Sequence, residues 1–150
     1  MVLAVTCSII ARLTPTEHST LLKLYSHVSC GFPSPAEDWS EPELSLDELV
    51  NVRAPSTYLV RAYGDSMTGA GIYDGDVLVV EKAIEPVAGC IIVACIGQEF
   101  VAKRFRLQAN GCPGLFAEHP DYPPILLGPE DELECFGVCT WNLHRLMECR

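Results

Sequence analysis

After position 57 the hydrophobic residues gather into short runs with turn formers between them. Tyr58–Tyr63, Val77–Glu81, Ile91–Ile96, Phe100–Leu107, Leu115–Glu118 and Cys135–Leu143 are rich in β-branched or aromatic residues. Tyr73-Asp74-Gly75-Asp76 and Pro123-Pro124 are typical of the intervening turns. No helix of ordinary length interrupts the series, so the pattern predicts a compact, mainly antiparallel β fold.

The pattern differs before position 57. Thr14-Pro15-Thr16-Glu17 reads as a helix start, with a Thr cap, Pro at the first helical position and Glu at the third. Leu21, Leu24 and Tyr25 would share one face of a helix too short to persist without packing. From Gly31 onward Pro33, Pro35, Pro42 and Pro55 break the chain among crowded acidic residues. That stretch predicts an extended connector, with one helical turn and a second capping box at Ser45-Leu46-Asp47-Glu48. The expected organisation is an N-terminal arm over 1–30, a Pro-rich connector over 31–56 and a β domain over 57–150.

With 150 residues, the chain fits one domain and an appendage. Ten basic and twenty acidic side chains leave a formal net charge of −10, which repels phosphate backbones and disfavours direct DNA binding. The apolar start, Met1 to Leu13, has no basic leading region, is closed by Arg12 and precedes no small-residue cleavage site. A cytoplasmic protein without a membrane span is expected. Cysteines at 7, 30, 90, 95, 112, 135, 139 and 149 show no C-x-x-C spacing and form no zinc pattern with His18, His27, His119 and His144. Thiols in a cytoplasmic core, with neither metal nor cofactor, are the expectation.

Two places carry candidate chemistry. Gly64-Asp65-Ser66-Met67 follows a predicted strand and leads into Gly69-Ala70-Gly71. A serine there can present its hydroxyl beside backbone N–H groups suited to an oxyanion, although Gly-Asp-Ser alone is also an ordinary turn. In the strand Phe100–Leu107, alternation sets Val101, Lys103, Phe105 and Leu107 on one face, and Ala102, Arg104 and Arg106 on the other. A lysine on the apolar face loses hydration, which lowers its pKa and makes a neutral amine, a general base for a serine. A lysine with a buried stem and a wet head fits the same pattern equally well. Asp74 and Asp76 read as turn residues, and His119 and His144 as surface residues.

Taken together and in order, several segments resemble the UmuD-type branch of the LexA family of self-cleaving Ser-Lys peptidases. They are Cys30-Gly31-Phe32-Pro33-Ser34-Pro35-Ala36-Glu37-Asp38, Gly64-Asp65-Ser66-Met67, Gly71-Ile72-Tyr73-Asp74-Gly75-Asp76, Glu99-Phe100-Val101-Ala102-Lys103-Arg104 and Phe136-Gly137-Val138, within Ser29 to Arg145. The resemblance implies a LexA/signal-peptidase-like β fold with Ser66 as nucleophile and Lys103 as general base. It also implies that the scissile bond is Cys30-Gly31, so that the 1–30 arm is removed by self-cleavage. The implied partners are a second copy of the chain, a RecA filament that promotes cleavage in the SOS response, and a UmuC-like Y-family DNA polymerase (polymerase V type). The processed form would serve that polymerase as accessory subunit in error-prone translesion synthesis. Thirty residues before the scissile bond are too few for the helix-turn-helix domain of a repressor. Cys135–Leu143, apolar and strand-like, is expected to be an unpaired strand covered by the dimer partner. The contrasting readings are a non-catalytic β-rich interaction module and a peptidase acting on other proteins, similar to a signal peptidase.

Overall fold

The structure, a computed structural model, describes residues 6–12, 21–22 and 44–147, with the side chains of Cys7 and of 44–147. Its main element is an eight-stranded sheet in the spatial order β1-β4-β5-β10-β6-β7-β8-β9, with every neighbouring pair antiparallel. The strands are β1 (Thr6–Arg12), β4 (Thr57–Tyr63), β5 (Val77–Glu81), β6 (Ile91–Ile96), β7 (Glu99–Leu107), β8 (Pro113–Phe116), β9 (Ile125–Leu126) and β10 (Glu134–Leu143). The start of β1 pairs with β7 as well as β4, so six strands close into a ring.

The runs expected to be strands form β4, β5, β6, β7, β8 and β10, with ends that differ by a few residues at most. β6 and β7 lie between two apolar clusters. Val93 and Ala102 join Val60, Leu78 and Val80 on one side, while Ile92, Ala94, Val101, Phe105 and Leu115 pack on the other. Burial of both faces explains the unbroken apolar run at Ile91–Ala94, where a one-sided strand would alternate. Leu107 departs from the expected buried face, being 57% exposed. It pairs with Pro113 at the end of the hairpin, beyond the reach of the core.

β10 is not the unpaired strand expected at Cys135–Leu143: its beginning pairs with β6 and its end with β5. Register shifts between Cys135 and Gly137 and between Cys139 and Trp141 bend it from one partner to the other. Gly137 permits the approach, since a Cβ there would lie 2.8 Å from Val80 Cγ1 and 2.9 Å from the Glu81 carbonyl oxygen. What β10 leaves open is a face, where Trp141 and Leu143 are exposed, followed by exposed Leu146 and Met147.

Two further differences concern the first 56 residues. Thr6–Arg12, considered above only as part of an apolar leader, is a strand of the main sheet, with Cys7 buried. Leu21–Leu22 does not continue a helix but forms strand β2, paired with β3 (Leu44–Ser45). The helical turn expected at Ser45–Glu48 is present as α1 (Leu46–Leu49) without the capping bond. Ser45 Oγ is instead buried and has no hydrogen-bond partner among the described residues. Residues 13–20 and 23–43, including the Thr14–Glu17 helix start and the Cys30-Gly31 bond, lie outside the described residues.

Candidate active site

β4 ends at Tyr63, and Gly64 turns the chain with a φ of 93°. The backbone N–H of Gly64 donates to Asp74 Oδ1 at 2.7 Å, fixing the exit from the strand. Ser66 and Met67 follow, both fully buried, and lead into a short 3-10 turn over Thr68–Ala70. A second segment clamps this turn. The Gly69 N–H donates to the Glu118 carbonyl at 2.8 Å, and the Glu118 N–H donates to the Ser66 carbonyl at 2.9 Å.

Lys103 comes from the middle of β7 and is 2% exposed. Its Nζ lies 2.5 Å from Ser66 Oγ, across 37 residues of sequence. The structure thus brings together the serine and lysine that the sequence singled out. Burial is the main cause that lowers the Lys103 pKa, to about 8, while the nearby Cys7 thiol acts weakly in the opposite direction. A substantial fraction of neutral amine is therefore available just above neutral pH, as a general base requires. Burial pushes the Cys7 thiol up to about 11, so that it stays protonated beside the lysine.

The opposite face of β7 holds the strand in place. The Arg104 guanidinium binds the Glu118 carboxylate and donates to the Gly89 carbonyl at 2.6 Å, and Arg106 reaches the same carboxylate at 3.2 Å. Tyr122 lies beside the dyad, with its ring centroid 6.0 Å from Lys103 Nζ and its hydroxyl donating to Asp65. That hydrogen bond holds the Asp65 carboxyl below the usual carboxylate range and raises the Tyr122 phenol. His119 packs edge-on against Tyr122 at 5.3 Å between ring centroids. The contacts of Glu118, Tyr122 and Asp65 escaped the sequence reading, since they join segments with no shared local pattern.

Asp76 is more than the turn residue expected. It is 4% exposed, and accepts from the Tyr73 N–H at 2.9 Å and from Asn142 Nδ2 at 2.8 Å. His144 Nδ1 lies 2.6 Å from its other oxygen, so this histidine is tied to a buried carboxylate. Burial works to raise the Asp76 pKa, but these partners outweigh it and keep the group below its ordinary value. Cys7, Cys90, Cys95, Cys112, Cys135 and Cys139 are not in disulfides. Among the described residues no cluster of side chains is suited to a metal, and no helix is long and apolar enough to cross a membrane.

Gly69 provides a direct test of the clamp. A Cβ on Gly69 would lie 2.4 Å from the Glu118 carbonyl oxygen, a backbone atom of the segment that bonds to Ser66. Gly69→Ala should therefore destabilise the fold by about 1–3 kcal/mol, measured by denaturant unfolding, and displace the turn bearing Ser66. Wild-type stability in this variant would show that the clamp is soft.

Comparison with known proteins identifies the family. Residues 23–140 match the Peptidase S24-like family. Protein MucA of Salmonella typhimurium is 43% identical over 118 residues, covering 77% of this chain and 79% of that protein. Protein ImpA of Shigella flexneri is 39% identical over 120 residues, covering 80% of this chain and 81% of its own. The LexA repressor of Bordetella avium is 40% identical over 121 residues, which are 80% of this chain but 55% of the repressor. A buried serine beside a buried lysine, on an antiparallel β framework matched along most of its length, marks the chain as a member of the Peptidase S24-like family, a serine peptidase of the LexA/UmuD type.

Proposed function

We propose that the protein cuts its own Cys30-Gly31 bond, with Ser66 as nucleophile and Lys103 as general base. The observation that carries this reading is the 2.5 Å separation of Ser66 Oγ and Lys103 Nζ in a buried pair. Neutral Lys103 takes the hydroxyl proton as Ser66 Oγ attacks the Cys30 carbonyl carbon. Backbone N–H groups around Ser66 hold the resulting oxyanion. The Lys103 ammonium then gives its proton to the Gly31 nitrogen as the C–N bond breaks, leaving an ester between Cys30 and Ser66. Water, deprotonated by Lys103, hydrolyses that ester and restores the hydroxyl. Gly31 removes side-chain bulk at the point where the two backbones meet, and Pro33 and Pro35 favour an extended chain beyond it.

The UmuD-type kinship supports a role in the SOS response. In this reading a RecA filament on single-stranded DNA promotes the cut, and the body over 31–150 becomes the accessory subunit of a UmuC-like Y-family polymerase in translesion synthesis. The net charge of −10 favours contact with protein in such a filament over contact with its DNA. The chain works as a homodimer before and after cleavage. Support for this comes from the exposed apolar side chains of Tyr73, Trp141, Leu143, Leu146 and Met147.

Alkaline incubation of the purified chain followed by mass spectrometry tests the core of the proposal. A fragment beginning at Gly31 is expected. An intact mass throughout, with and without RecA filament, would leave a non-catalytic module as the better reading.

A further inference from the structure

Strand β1 holds a position that the family match does not account for. It ends at Arg12, while the matched residues begin at 23. Thr6↔Tyr63, Cys7↔Ala62, Ser8↔Arg61 and Ile9↔Val60 set its register on β4, which continues through Ala11↔Leu59 and Arg12↔Tyr58 after a register shift. Thr6↔Val101 and Cys7↔Phe100 bind its start to β7, the strand that carries Lys103. The Cys7 side chain is 5% exposed and packs in the cluster that contains Val60, Ala62 and Ala102. Without β1 the ring would open between β4 and β7, leaving two strand edges with unpaired backbone groups beside an apolar wall.

We propose that the gap between β4 and β7 is a strand-accepting docking site whose occupant is the chain's own Thr6–Arg12 segment, held by backbone pairing and by the Cys7 side chain. The bond that self-cleavage would break lies between this occupant and the body. On the cleavage reading, on which this step alone rests, the cut protein is a two-chain complex in which the 1–30 peptide remains as the closing strand. Cutting removes the tether but not the ladder. The peptide then leaves on dilution, because it has lost an effective concentration on the order of millimolar. Its departure opens a surface suited to an extended segment, in the manner of strand addition.

The test uses the full-length chain in the Ser66→Ala background, so that it does not depend on self-cleavage. Ser8→Pro combined with Ile9→Pro removes two successive N–H donors from β1, so that one is lost whichever of them faces β4. A fluorescent peptide of residues 1–15 should bind the double-proline chain saturably. It should bind the unaltered chain at least about tenfold more weakly, because the tethered strand competes. Equal binding to both chains, or none to either, would overturn the proposal. Should the double-proline chain not fold, hydrogen exchange on the chain with only Ser66→Ala decides. Slow exchange across Thr6–Arg12 and Thr57–Tyr63 supports the docked strand, and fast exchange throughout Thr6–Arg12 refutes it. In the self-cleaved wild type, the 1–30 peptide should co-elute with the body in native size exclusion at high concentration and separate on dilution. Separation at every concentration would refute retention, whereas failure to form any Gly31 fragment would count against the cleavage reading and leave the strand site to the peptide and exchange results.

Discussion

Ser66→Ala should leave the protein folded and uncut at Cys30-Gly31 under every inducing condition. The hydroxyl is the only reacting group that the serine contributes, so its loss should lower the cleavage rate by at least about a thousandfold. Stability should fall only modestly. Ser66 is fully buried and bonded to Lys103, so deleting the oxygen leaves the buried amine without that partner, at a cost of about 1–3 kcal/mol. Mass spectrometry after alkaline incubation measures the first effect and denaturant unfolding the second. A Gly31 fragment from this variant would remove Ser66 from the mechanism.

The second large effect belongs to Lys103. With its pKa lowered to about 8, self-cleavage without a filament should rise roughly tenfold between pH 7 and 9 and then level off. Lys103→Arg should be inactive, because a guanidinium stays protonated throughout this range. The same shift fixes the direction of the stability change. Between about 8 and the ordinary lysine value of 10.5 the unfolded chain holds more protons than the folded one, so stability should increase as pH rises through that window. Below it both states are protonated, and the fold carries the full burden of a buried ammonium. Lys103→Met should therefore be dead as a peptidase yet more stable at neutral pH, by about 1–2 kcal/mol once the lost bond to Ser66 is counted. A cleavage rate that is flat from pH 7 to 9, or an active arginine variant, would exclude Lys103 as the base. A methionine variant less stable than wild type would show that the lysine contributes more to the fold than it costs.

Ser66 and Lys103 were legible as candidates from their local patterns, although those patterns alone also fitted a turn serine and a lysine with a wet head, and the order of the family's segments decided between the readings. One follows a strand and a glycine turn. The other is a lone charge on an otherwise apolar strand face. The six strands of the β domain were legible for a similar reason, since short β-branched runs between turn formers leave little alternative. β1 was not. Thr6-Cys7-Ser8-Ile9-Ile10-Ala11-Arg12 does not alternate cleanly, its register shifts between Ile9 and Ala11, and its ladder partners start some fifty positions later. The helical face expected through Leu21 relied on a spacing, and at Leu21–Leu22 pairing with Leu44–Ser45 overrides it. β10 was recognised as a strand but misjudged as an unpaired one, because strand order is decided by bulges and crossovers that a linear pattern does not encode.

Glu118 contacts the turn that bears Ser66 and the strand neighbour of Lys103, and takes no part in the chemistry proposed for the two. Its main chain grips the serine turn through Ser66 and Gly69, and its carboxylate holds Arg104, the residue after Lys103. The residue therefore works like a caliper, setting the gap between Ser66 and Lys103 from outside. A substitution at this one position would widen or narrow the jaws while the serine and the lysine themselves stay fixed.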